Sequence, residues 1–378
     1  MHSQQQASLV KSNSSRMPSD RKLTAEFESK QRHRNTGPAN GCDSDNESLA
    51  SVAQTAVERE VALTQVDELW FDEDNLIVRA NDCLFRVSKG FLAARSPVLK
   101  QTLLENPGKL STMLGCPVLV LPHSATSVTH FLKALFDADY FLPPPQRCSI
   151  PTLLEILRLA HIYQVKFLRK RALLHFSALF SSSMADVVGL TRLSVNADKE
   201  CLDDRTLSPG AGGILLAAFQ VASEVGALWS IPTIAYRCCT IDLAGLFALP
   251  EWESSLSVTQ RRQLLIARDK QKSATRLISR FLLVEIDHCS TFACRAARLH
   301  WLKLVDDRSR KGHDSDPLNF WTKEDWRDMR HEFCEVCLAE YKRICSEEKV
   351  SFWSELPRWF GLPDWQELHR MEEEALKA

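Results

Sequence analysis

The 378-residue chain has no uninterrupted apolar run of about 18 residues, the length a helix needs to cross a bilayer. Its nearest candidate, residues 213–229, is broken by Gln220, Ser223 and Glu224, so no membrane span is expected. The first thirty residues lack the apolar stretch of a secretory signal, which points to a cytoplasmic or nuclear protein. In those compartments the twelve cysteines are reduced thiols: buried, reactive or metal-bound. A net charge of -1 gives no overall attraction to nucleic acid or acidic membranes. The G-x-S-x-G elbow, the H-E-x-x-H helix, the phosphate-cradling P-loop and a convincing carboxylate pair are all missing, so the sequence predicts no enzyme. It also has no repeat of solenoid or propeller length and no C-x₂-C…H-x₃-H zinc finger.

Residues 1–65 are polar and poor in large apolar side chains. Such a segment cannot bury enough surface to offset the entropy of ordering, so a disordered tail is expected. Its basic run at 30–34 reads as a solvated stretch in preference to a nuclear import signal. From Asp67 the composition turns apolar. "NLIVRA" and "CLFRVS" flank the turn pair Asn81-Asp82 and predict a β-hairpin. Phe85 and Val87 alternate with Arg86 and Ser88, which gives the hairpin one buried face. A helix follows at once and meets Ser96-Pro97. Serine can cap a new start and proline suits the first helical position, so the pair predicts a helix divided in two. A short strand at 117–122, an amphipathic helix through Val128, Phe131, Leu132 and Leu135, a Pro-rich loop and two further helices complete the segment.

The run "FRVSKGFLAARSPVLKQTL" resembles the Phe-x-Val-His-Lys-x-x-Leu-x-x-x-Ser-Pro-x-Phe pattern of BTB/POZ domains. "LVLP" and "LLEILRLAHIYQVKFLRKRALLHF" resemble that family's third strand and closing helical hairpin, and the match covers about 115 residues, the size of one domain. Three positions depart from the family pattern: Ser88 stands for the histidine, Leu99 for the last aromatic and Asn75 where many members have aspartate. The resemblance implies an α+β BTB/POZ fold over 66–180 that works by protein–protein interaction. It further implies a homodimer and, as in some members, docking to a cullin scaffold of a ubiquitin ligase. The family's hydrophobic-x-Glu adaptor motif has no glutamate in the 137–151 loop; Leu153 and Glu155 fit it only within the next helix. Apolar side chains at the edge of this domain, Leu69, Trp70 and Phe71, are the candidates to bury against a second copy.

Residues 181–212 read as a linker, and its glycines lack the context of a nucleotide site. From 213 to 378 the pattern is helical throughout, with Ser257 and Gln260 as a capping box and Thr322 as a cap. The whole chain thus resembles the BTB proteins abundant in mushroom-forming fungi, which carry a Cys- and Trp-bearing helical region after the domain. Charge is divided within that region: residues 256–312 hold thirteen Lys/Arg against five Asp/Glu, and 313–378 nine against sixteen. Facing helices that neutralise each other is the preferred reading. The alternative is a nuclear regulator whose basic 256–312 segment touches nucleic acid. Six of the nine tryptophans lie between 301 and 365, outside most of the basic stretch, and suit a packed core. The sharpest chemical constellation is Cys289 and Cys294 in C-x₄-C with Cys334 and Cys337 in C-x₂-C. Four thiolates so spaced could close a tetrahedral zinc site, with nearby Lys and Arg favouring the thiolate form; four small buried hydrophobes is the competing reading. Cys345 and His288 stand as reserve ligands.

Overall fold

The computed structural model of the chain describes residues 63–377 apart from 74, 106–109, 190–210, 288, 290 and 291. The tail expected at 1–65 lies outside the described residues up to 62, as do the basic run at 30–34, most of the linker expected at 181–212 and His288. The last residues assigned to that tail, Thr64 and Gln65, belong to a strand.

Among the described residues the strands all lie before residue 121, and the elements after it are helices. The sheet holds β1 (Thr64–Trp70), β2 (Leu76–Ala80), β3 (Cys83–Val87), β4 (Thr112–Met113) and β5 (Cys116–Val120) in the order β1-β3-β2-β5-β4. β2 and β3 form the antiparallel hairpin, with Ala80 opposite Cys83. Asn81 takes φ 52 at its turn, a left-handed conformation that asparagine tolerates better than most residues. β5 returns parallel to β2, and β1 runs parallel to β3.

Strand alternation sends Leu76, Val78, Ala80, Phe85 and Val87 into the main core. The opposite face is not bare: Ile77, Leu84, Cys116 and Val118 form a second small cluster with Trp70 and Met113 packed on it. The expectation of a single buried face is corrected to that extent.

The helix break at Ser96-Pro97 separates α1 (Lys89–Arg95) from α2 (Pro97–Glu105). Ser96 is buried; its Oγ accepts from the Leu99 N–H (3.0 Å) and donates to the Tyr163 carbonyl (2.6 Å). The corner is therefore tied to the end of α4 (Ile150–Ile162), which lies 67 residues away in sequence. α3 (Ala125–Phe136) and α5 (Lys166–Leu179) flank α4. After α6 (Met184–Gly189), α7 (Ala211–Val225) packs directly on α4, and α8 (Ile231–Thr240) packs on α7. Trp229, at the α7–α8 bend, donates from Nε1 to Ser177 Oγ of α5 at 2.9 Å. One continuous set of buried apolar side chains runs from Leu69 to Leu368.

Beyond the short helices α9 (Leu243–Ala248) and α10 (Pro250–Ser254), α11 (Val258–Ile278) begins at the Ser257–Gln260 capping box. Its inner face carries polar side chains. Arg268 donates to the Cys239 and Ile241 carbonyls at the end of α8. Gln271 donates to the Tyr236 and Ser315 carbonyls, and Thr275 to the Asp314 carbonyl. α12 (Phe292–Arg310), α13 (Lys323–Glu332), α14 (Glu335–Glu355) and α15 (Trp365–Lys377) follow. Trp321 packs among Phe281, Trp301 and Trp326 with centroids 5.3 to 6.3 Å apart. The basic and acidic stretches do face each other, through Lys272–Asp314 (3.3 Å), Arg280–Glu348 (2.5 Å) and Arg308–Asp325 (2.6 Å).

Arg308 grips Asp325 with two guanidinium nitrogens, and the same carboxylate accepts from the Thr322 N–H that opens α13. Burial alone would raise the Asp325 pKa, but the hydrogen bonds from Arg308 and Thr322 outweigh it and hold the carboxyl below its usual range. The bonded form is thus stabilising above the ordinary Asp value of about 4 and is lost as pH falls through the lower folded value. Asp325→Asn is expected to cost about 2 kcal/mol at neutral pH in urea unfolding. The gap to the unsubstituted protein should close as the pH is taken below about 4.

Candidate functional sites

Three separate pieces of chain deliver the four cysteines to one point. Cys289 sits in the loop after the 3-10 turn Arg280–Leu283, where its N–H donates to the Ile286 carbonyl. Arg298 on α12 braces that loop by donating to the Val284 carbonyl (2.9 Å) and to Glu285 (3.1 Å). Cys294 lies in the first turn of α12. Cys334 is the residue that starts α14, extended and not itself helical, and Cys337 follows in the first turn. The i, i+3 spacing expected on one helical face therefore becomes a cap-plus-first-turn pair, which aims both sulfurs past the helix end.

The four sulfurs lie within 4.8 Å of one another, and Cys334 Sγ is 3.9 Å from Cys289 Sγ. Tetrahedral thiolates at a metal–sulfur distance of 2.3 Å would stand about 3.8 Å apart. The Cys334 N–H donates to Cys294 Sγ at 3.2 Å, a bond that favours a charged sulfur. The N-terminal ends of two long helices, α12 and α14, meet at the cluster, and both dipoles favour negative charge there. All four thiols are free of disulfides. Cys294 and Cys337 are buried, while Cys289 and Cys334 are only partly so. Phe333 and Tyr341, packed edge to face at 5.2 Å, are close neighbours in sequence.

Burial pushes the Cys294 and Cys337 thiols up, and hydrogen bonds and charge from neighbouring sulfurs add to it. This is the reverse of the thiolate-favouring effect expected of nearby Lys and Arg. Four crowded sulfurs cannot all be anionic unless a cation sits among them. The geometry fits a metal ion with four protein ligands and no open position, the pattern of a structural site and not a catalytic one. Packed hydrophobes would need no such convergence, and two of the four are not fully buried. Cys345 lies outside the cluster, deep in α14, with its thiol pushed up by burial to about 11.

The three edge residues have different fates. Leu69 is 2% exposed and belongs to the core, Trp70 covers the small cluster on the outer sheet face, and Phe71 is 38% exposed. Leu69 therefore offers no surface to a partner, because β1 turns it inward against the helices. Phe71 begins a ribbon that the sequence reading missed. Its ring lies 5.8 Å from Phe136, Phe136 lies 4.8 Å from Phe91, and Arg95 stands over both Phe91 (5.2 Å) and Phe167 (5.4 Å). These residues come from the β1 end, α1, α3 and α5, so no local window of sequence contains the ribbon. Aromatic and arginine side chains on a surface are the types that dominate protein interfaces.

Glu155 of the adaptor-like pair accepts a hydrogen bond from Ser127 Oγ at 2.6 Å, and Leu153 is fully buried. In the basic 256–312 segment, Arg268 is buried and Arg280, Arg298 and Arg308 are ion-paired. No helix among the described residues is long and apolar enough to cross a membrane.

Cobalt(II) added to the chelated, reduced protein should bind one equivalent and give the thiolate-to-metal charge-transfer and visible bands of a tetrahedral four-sulfur centre. Cys294→Ser should weaken and shift these bands, whereas Cys345→Ser should leave them unchanged.

Comparison with known protein families, with curated proteins and with solved structures found no match to this chain.

Proposed function

We propose that the chain is a non-enzymatic protein-interaction protein with two working parts. Residues 66–180 act as a BTB/POZ-type module that pairs with a second copy. The helical region, held by a structural zinc ion at Cys289, Cys294, Cys334 and Cys337, carries the surface for a further protein partner.

The observation that carries this reading is the succession of elements in space. An antiparallel hairpin leads into a helix pair divided at a buried Ser96, and a strand returns parallel to β2. An amphipathic helix and a closing helical hairpin, α4–α5, complete the module. That is the arrangement implied by the BTB/POZ resemblance. The aromatic–arginine ribbon from Phe71 to Phe167 supplies the surface for the second copy. Cullin docking remains part of the family's expectation, but Glu155 is engaged inside the fold and lends it no support. Zinc is preferred among metals because it is redox-inert, borderline-soft and content with tetrahedral sulfur.

Sedimentation equilibrium of the full chain should show a dimer at micromolar concentration. Phe71→Glu with Phe167→Glu, both in exposed rings, should yield a folded monomer with an unchanged circular dichroism spectrum. A strictly monomeric unsubstituted chain would overturn the proposal. Elemental analysis should find about one zinc per chain, and chelation should lower helical content and melting temperature. Less than about half an equivalent, with stability unchanged by chelator, would remove the zinc.

A further inference from the structure

The segment from 313 to 378 carries a clear excess of acid, yet every charged residue lining one of its cavities is a cation. The cavity, ≈ 640 Å³, opens between α13 and α14. α13 contributes Lys323, Trp326, Arg327 and Arg330, and α14 contributes Lys342, Cys345, Ser346 and Lys349. Each set is spaced i, i+3, i+4, i+7, so each is one continuous helical face.

Five acids of these helices are held by cations outside the cavity. Asp325 holds Arg308, Glu332 meets His300, and Glu348 meets Arg280. Glu340 and Glu347 both pair with Arg343 on the next face of α14. Lys323, Arg327, Arg330 and Lys342 form no ion pair with any described carboxylate within 4 Å. Lys349, at the floor, donates to the Leu318 carbonyl and feels Asp316 behind it. Burial holds its ammonium below the usual lysine range, so an anion in the cavity would relieve an existing cost. Lys342 stands 6.0 Å over the Trp326 ring, which gives the site an apolar wall beside its charges.

A span of seven residues on a helix is about 10 Å, so the cations extend too far to surround a single phosphate. A volume of this size is that of a small-molecule site. We propose that the α13–α14 groove binds a compact soluble anion carrying several phosphate groups, of the inositol polyphosphate type. This inference is independent of the BTB/POZ reading and of the zinc site.

The test is isothermal titration of inositol hexakisphosphate into the full-length protein as purified. Saturable one-to-one binding that weakens with salt is expected. Arg327→Gln with Arg330→Gln, both exposed, should weaken it by about tenfold or more. Arg262→Gln with Arg276→Gln, an equal charge change on exposed positions of α11, should leave it unchanged. The inference is overturned if no saturable binding occurs, or if both double variants lose affinity equally. It also fails if inorganic phosphate competes as well as the polyphosphate does. Tighter binding of an oligonucleotide or a polyglutamate peptide at matched charge would assign the groove to a macromolecule instead.

Discussion

Helix α4 is apolar on more than one face, and the structure is arranged around the need to cover it. Leu153, Leu154, Ile156, Leu157, Leu159 and Ala160 are all buried, which no single neighbour could achieve. α3 and α5 cover it from the sheet side, and α7 covers it from the helical region. Residues before 181 and after 210 therefore share one core. Polar contacts reinforce the joint, such as Arg169 donating to the Val225 carbonyl at 3.1 Å and Thr233 to the Ser181 carbonyl at 2.8 Å.

A metal held by the cysteine cluster would do in the outer helices what α4 does in the centre. α12 buries few side chains: Cys294, Ala297 and Trp301. Four sulfurs from the loop before α12, from α12 and from α14 would bind them where apolar area is short. Metal sites take this role wherever a segment cannot build enough core by itself.

Much of this was legible in the sequence, for local reasons. Asn81-Asp82, Ser96-Pro97, Ser257 with Gln260, and Thr322 are turn or cap signals whose chemistry acts within four residues, and each stands where expected. The cysteine spacing identified the four residues that converge. Strand β1 was not legible, because "TQVDELW" lacks alternation and its partner β3 lies beyond another strand. Leu69 was misplaced for the same reason. The aromatic ribbon depends on four elements that only the fold brings together. The cationic groove was hidden by averaging: a net charge summed over a segment mixes helix faces that the structure separates.

The polar stripe on the inner face of α11 has one more consequence. Arg268, Gln271 and Thr275 each meet a carbonyl that belongs to another element, at the end of α8 or in the 314–315 turn. Apolar attraction carries no direction, so by itself it fixes a helix register less sharply than hydrogen bonds do. A shift by one turn would strand all three donors away from water. α11 is thus a key cut for a single lock position, and the placement of everything after residue 280 inherits its precision from that notch.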